Sequence, residues 1–156
     1  LSGKHFIEWQ IDALISLGVK QVVAVIGYDA LNIQSILGKR YGSLVDTVFN
    51  PFFEIADNLA SCWMAREHFH DDFLLLNGDT LFEPKIIAKL LSQDKLPITL
   101  ATDKKDQYDE DDMKVITEDS RLLSVGKKLP PDKVTGESIG IMHFNPEGAE
   151  LFRESV

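Results

Sequence analysis

A carboxylate stands where an apolar run ends. In DFLLLNGDTLF, residues 72–82, four apolar residues (73–76) are followed directly by Asn77, Gly78 and Asp79. A continuous apolar run of this length suits a strand covered on both faces. In an open α/β sheet, ligands bind outside the carboxyl ends of the parallel strands. Asp79 would then project where a hard cation bridges it to phosphate oxygens, and Gly78 would let the backbone approach a ligand closely. Asn-Gly-Asp is also ordinary turn chemistry, so a turn-capping Asp79 stays open beside the ligand role. Gly27-Tyr28 and Asn50-Pro51 close two other apolar runs and are further candidates for the same edge.

Positioning such groups requires a sheet, and the hydropathy pattern implies one. FIEWQIDALISLG places Ile7, Ile11, Leu14 and Ile15 on one helical stripe, with Gly18 as a natural stop. A short apolar run at 22–26 is closed by Gly27, and a second helix is expected over 30–37. LVDTVFN reads as another strand ending at Asn50-Pro51. Asp57 or Asn58 is placed to cap a helix over 59–69, and Pro84 to open one through residue 91. Strand and helix alternate at short spacing, which implies right-handed βαβ units and a largely parallel sheet. After Pro97 the rhythm changes: PITLATD, MKVITED, RLLSVGKKL and ESIGIMHFN are strand-like without helices between them, so an antiparallel portion is added. A last helix is expected over 147–154. The pattern predicts one mixed α/β domain, with no internal repeat and no low-complexity linker.

Composition bounds the function classes. The 156 residues suffice for one domain with a proper core, and 44% hydrophobic with 26% charged residues is ordinary for a soluble globular protein. No run approaches the roughly 18 apolar residues of a membrane span, and no signal peptide is visible. The single cysteine, Cys62, excludes an internal disulfide and fits a reducing compartment, so the cytoplasm is the expected location. A net charge of −9 argues against nucleic acid as a partner, because phosphate binding needs a basic surface. Much of that charge lies at 106–112, where it is expected to solvate a loop. The chain starts without Met at Leu1 and stops at Val156 with no polar tail, as expected of a fragment.

SGKHFIEWQIDALISLGVKQVVAVIGY, FNPFFEIADNLASCWMAREHFHDDFLLLNGDTLF and GKKLPPDKVTGESIGIMHF follow one another in an order that resembles the sugar-phosphate nucleotidyltransferases. The resemblance is in particular to the branch that includes choline-phosphate cytidylyltransferases of bacterial surface decoration. It covers nearly the whole chain. The aspartate at the strand end and the glutamate-glycine stretch are its more specific parts; the first helix and strand are generic. It implies a Rossmann-like, glycosyltransferase-A-like three-layer sandwich with a mixed, mostly parallel sheet. It also implies one reaction, in which a phosphate monoester oxygen attacks the α-phosphorus of a nucleoside triphosphate in line and pyrophosphate leaves. No covalent enzyme intermediate is needed, so alignment and charge neutralisation by magnesium and lysines carry the catalysis.

On this resemblance Asp79 matches the magnesium-binding aspartate, with Gly78 at its side. Asn58 with Leu59, Ala60 and Ser61 matches the segment that contacts base and ribose, and an amide that both donates and accepts suits a base edge. A plain N-cap role for Asn58 is compatible with that. Lys128 matches a lysine on the acceptor's phosphate, with Lys127 the second choice and a solvated strand end the alternative. Glu137 and Gly140 match acceptor-side positions, where Glu137 would fix a sugar hydroxyl or face a quaternary ammonium. Lys114 is expected on the strand surface, with the cleft as its alternative. The implied partners are CTP, UTP or dTTP and a phosphorylated small molecule, and a homo-oligomer is compatible with the sequence. The sequence also departs from the pattern. The glycine-rich loop that cradles the triphosphate is absent, Leu1 aligning just beyond it, and a second metal aspartate would fall past Val156. The expectation is a partial nucleotidyltransferase domain over 1–156, feeble or inactive alone.

Two other classes stay in view. A nucleotide-sugar glycosyltransferase also places acidic residues at a strand end, but it usually needs two flanking one position, and here the first is Asn77. A non-catalytic nucleotide-binding or regulatory domain is the third. His5, His68, His70 and His143 are scattered and promise no metal cluster. Cys62, Trp63 and Met64 read as helix core, Phe6 and Trp9 as core or interface, and Phe52-Phe53 as buried or as an aromatic lid.

Overall fold

The computed structural model describes residues 3–93 and 96–156. Helix α1 (Phe6–Ser16) opens where Glu8 Oε2 accepts from the His5 backbone amide at 2.7 Å, and it closes at Gly18, whose φ of +87° favours glycine. Strand β1 (Val22–Ile26) pairs in parallel with β2 (Val45–Phe49), and α2 (Ala30–Tyr41) connects them. The expected stripe of α1 packs here: Ile11 is buried with Ala24, Ile26, Leu37, Tyr41 and Val45, and Ile7 and Ile15 close on that cluster. α2 runs four residues past the expected end at 37. Leu37 and Tyr41 lie one turn apart on the same face, and both are buried.

The second sheet holds β3 (Phe73–Leu76), β4 (Ile98–Asp103), β5 (Lys114–Glu118), β6 (Arg121–Gly126) and β7 (Gly136–Phe144). Its path is β3-β7-β5-β6, with β4 also on β7, and each of these pairings is antiparallel. The α/β class and the mixture of parallel and antiparallel pairing are as the sequence implied, but the proportion differs. Among the described strands, parallel pairing is confined to β1 and β2. β3 lies antiparallel to β7, not in a parallel row. The reason is the length of β7: nine residues receive β3 along one half, β5 along the other, and β4 at both ends. β3 is also half-buried at all four positions instead of covered on both faces.

Helices nevertheless cover this sheet on two sides. Ile87 and Leu90 of α4 (Pro84–Leu91) pack with Leu74, Leu76 and Ile141. Alternate residues of the same strands turn the other way. There Phe73 stacks on Phe69 and Phe144, with ring centroids 4.8 and 4.6 Å apart, and Phe152 of α5 (Pro146–Ser155) joins them. Helix α3 (Asn58–Ala65), continued by a 3₁₀ turn through His68, packs on β1 and β2. Among the described residues no helix is long and apolar enough to cross a membrane.

Candidate functional site

Strand register sets one row of residues across four strands. Asp103 of β4 faces Glu137 of β7, Glu137 faces Lys114 of β5, and Lys114 faces Gly126 of β6, two residues before Lys128. Glu137 is 8% exposed, and its carboxylate lies 2.8 Å from the Lys105 ammonium, which reaches Asp112 at 3.1 Å. The Asp112 carboxylate also accepts from the Asp109 amide at 2.8 Å. That backbone bond and the Lys105 ammonium hold the Asp112 carboxyl below its ordinary range, against the opposing effect of burial. Glu137 and then Asp112 raise Lys105 in turn. The run 106–112 is therefore not mere solvation, because Asp112 anchors the loop. Lys114 is not open to a cleft either: its ammonium donates to the carbonyls of Asp109, Asp112 and Lys127. Lys128 is exposed, and among the described residues its ammonium has no hydrogen-bond or ion-pair partner.

The turn that carries Asp79 is fastened to β7 at this same edge. The Asn77 amide donates to Gly140 O at 2.8 Å, and Thr80 Oγ1 donates to Ile139 O at 3.1 Å. From α1, Gln10 Nε2 donates to both Asn77 O (2.9 Å) and Thr80 O (2.8 Å). Gly140 must be glycine for structural reasons of its own. Its φ is +72°, and an added Cβ would lie 2.4 Å from the Asn77 side chain. Gly78 has neither constraint: nothing lies within 4 Å of the place a Cβ would take. Asp79 itself is exposed on the turn, and its carboxylate accepts no bond from it and has no ion-pair partner among the described residues.

Among the described residues Asp79 can offer a magnesium ion one carboxylate ligand. Magnesium takes near-octahedral oxygen coordination, usually from one or two carboxylates completed by waters and substrate phosphates. No group of three or more His, Cys, Asp or Glu that could hold a metal alone occurs among the described residues. The donor set therefore suits an ion that arrives with a triphosphate.

The other expected residues sit on α3, against the β1–β2 sheet. Asp57 is the N-cap, its Oδ1 accepting from the Leu59 amide at 3.0 Å, so the capping role does not fall to Asn58. Asn58 is the first helical residue and is exposed, as is Leu59. Ser61 Oγ faces Asn50 Nδ2 at 3.1 Å. Asn50, a candidate ligand-edge residue by sequence, is 2% exposed. Its backbone amide donates to Ile26 O, and its side-chain Oδ1 accepts from Phe52 N, so it ties strand ends together. Gly27 likewise answers to the protein, since a Cβ there would meet Phe53 at 2.4 Å. Phe52 and Phe53 are not buried as expected but 48% and 38% exposed, because their turn lies over the surface at Gly27.

The structure thus places Glu137 and Gly140 on β7, the Gly78–Asp79 turn fastened to it, the β6 end before Lys128 two strands away across β5, and Asn58, Leu59 and Ser61 on α3. Sequence reasoning passed over Lys105, Asp112 and Gln10. A signal for Gln10 existed: it lies three residues after Ile7 and four before Leu14, a polar residue on the apolar stripe.

No family model matches the chain. A curated relative, the CMP-5'-(3-aminopropyl)phosphonate synthase of Streptomyces rubellomurinus, is 32% identical over 91 residues, which are 58% of this chain and 14% of that protein. Among solved structures, the inositol-1-phosphate CTP transferase from T. maritima superposes with a TM-score of 0.81 at 23% identity, covering 100% of this chain and 63% of the other. The CTP:phosphocholine cytidylyltransferase from Streptococcus pneumoniae superposes at 0.60 and 18%, covering 99% and 63%. The chain has the fold of these nucleotidyltransferases, and the resemblance read from its sequence is borne out at that level. It spans less than two thirds of either structure and a small part of the curated relative.

Proposed function

We propose that the full-length protein transfers a nucleotidyl group to a phosphorylated small molecule. A phosphate or phosphonate oxygen of the acceptor forms a bond to the α-phosphorus of the triphosphate. The bond to the α–β bridging oxygen breaks, and pyrophosphate leaves with that electron pair. One observation carries the reading: on this fold, an exposed carboxylate without partners among the described residues, Asp79, stands on a turn fastened from two sides. CTP is the proposed donor, because CTP or CMP stands in the names of the three similar proteins given above.

On this reading Asp79 holds magnesium, which supplies charge neutralisation at the phosphates when bound. The open space over Gly78 leaves room for a phosphate to lie close to the backbone. Lys128, exposed and unpaired among the described residues, receives the acceptor's phosphate. The Asn58 amide reads the base, Leu59 lies against the ribose, and Ser61 supports that end through Asn50. Glu137, already paired with Lys105, accepts from an acceptor hydroxyl; a charge so neutralised suits a polyol better than a bare cation. Gly140 contributes by letting the Asp79 turn close on β7. The protein works in the cytoplasm, where the Cys62 thiol stays reduced. Residues 1–156 alone transfer little or nothing, because they contain no glycine-rich loop to cradle the triphosphate.

The test is product analysis. The full-length protein is given CTP, UTP or dTTP with inositol 1-phosphate, phosphocholine or an aminoalkylphosphonate, and the released phosphate species are identified. Pyrophosphate is expected, fastest with CTP and a polyol phosphate. Release of a nucleoside diphosphate would indicate a glycosyltransferase, and release of neither would indicate a binding domain.

A further inference from the structure

We infer that Gln10 of α1 is a positioning residue, which sets the placement of Asp79 by clamping the two carbonyls that bracket its turn. The inference rests on Asp79 being the metal carboxylate. Gln10 is 8% exposed, although it sits on the face of α1 that supplies Ile11 and Leu14 to the core. A buried amide persists on an apolar stripe only if its hydrogen bonds are made. Both amide hydrogens are used, one on Asn77 O and one on Thr80 O, at 2.9 and 2.8 Å. These carbonyls stand on either side of Gly78 and Asp79, so one rigid side chain fixes the entry and the exit of the turn.

Two features make this more than a packing detail. The rest of the turn's support comes from β7, through Gly140 O and Ile139 O, on the sheet that also carries Glu137. Gln10 adds the only tie to the turn from α1 among the hydrogen bonds of the described residues. α1 is also shared by both cores: Ile11 packs with β1, α2 and β2, while Leu17, just past its end, closes on the cluster of α4 and β7. The amide therefore references the position of Asp79 to the half of the molecule that bears Asn58. A carboxylate free to drift by about 1 Å loses most of its value as a positioned ligand, because catalytic geometry must be held to about 0.5 Å.

The test compares wild type, Gln10→Met and Gln10→Asn in the full-length protein. Methionine keeps the shape without the donors. Asparagine keeps a buried amide one methylene too short to bridge both carbonyls, and serves if the methionine variant does not fold. Two quantities are measured without substrate: amide hydrogen exchange across 77–80, and Mn²⁺ affinity in the presence of a non-hydrolysable CTP analogue. Exchange in the turn is expected to rise at least about tenfold, with β1 and α2 unchanged, and Mn²⁺ affinity to fall about three- to tenfold. Adding Asp79→Asn should abolish the difference in metal affinity between Gln10 variants. Unchanged exchange, or faster exchange with unchanged metal affinity, overturns the positioning role. If Asp79→Asn alone leaves Mn²⁺ affinity at the wild-type level, the metal assignment of Asp79 fails, and with it the inference, whatever the exchange shows.

Discussion

The two halves of the molecule spend their polar groups differently. Around the parallel pair β1–β2, the residues that looked available are committed to the fold. Asn50 satisfies Ile26, Phe52 and Ser61 at once, and Gly27 is glycine because Phe53 lies on it. Around β7, by contrast, a dense set of internal ties (Gln10, Lys105, Lys114, Thr80) leaves two opposite charges, Asp79 and Lys128, exposed and unpaired among the described residues. Exposure alone would say little, since most surface charges are solvated. What distinguishes Asp79 is how firmly its turn is held while its carboxylate is left free.

If that contrast is functional, substitutions on the two sides must fail in different ways. The largest effect is expected at Asp79. In the full-length protein Asp79→Ala should lower kcat on the order of 10³-fold with the melting temperature unchanged, because it removes charge stabilisation and no internal bond. Steady-state rates beside a thermal melt check this. Lys128→Met comes next. The acceptor KM should rise about ten- to hundredfold, the cost of a charge-assisted hydrogen bond, while the KM for CTP barely moves. Lys133→Met is the control, a 3₁₀-turn lysine expected to be silent.

On the parallel side the damage should be to stability. Asn50→Ala removes a buried side chain that bonds the Phe52 amide and the Ser61 hydroxyl, and should cost about 1–3 kcal/mol in urea denaturation. Activity of the molecules that remain folded should change little. The smallest effect concerns pH. Hydrogen bonds from the His5 backbone amide and then the His5 ring, with Arg40 helping against the effect of burial, hold the Glu8 carboxyl below its ordinary 4.5. A folded value below the unfolded one stabilises fully above about 4.5, and that stabilisation is lost as pH falls through the lower folded value. Glu8→Gln should therefore be less stable than wild type at pH 7, and the gap should narrow as pH falls below about 4.5 in denaturation curves followed against pH.

Much of this was legible in the sequence, and what was not has a common cause. The limits of β1, β3 and α4 fell where expected, because an apolar run bounded by glycine, asparagine or proline is a local signal. The partner of β3 was not legible. Pairing with β7 depends on a strand more than sixty residues away whose length decides the sheet, and βαβ rhythm gave the wrong neighbour. Asp79 could be singled out from its place after a run and a glycine, but not the reason it is held in place. Gln10 and Lys105 act through contacts 67 and 32 residues distant, which no spacing rule reaches. The polar residue on the apolar stripe of α1 was the one local trace of that network.

The most direct measurement uses paramagnetic broadening by Mn²⁺ in the full-length protein with a non-hydrolysable CTP analogue bound. The account predicts that the amides of Gly78 and Asp79 broaden first, followed by those near Gly140 and Glu137. Broadening centred instead on the acidic stretch 106–112, with residues 77–80 untouched, would contradict it.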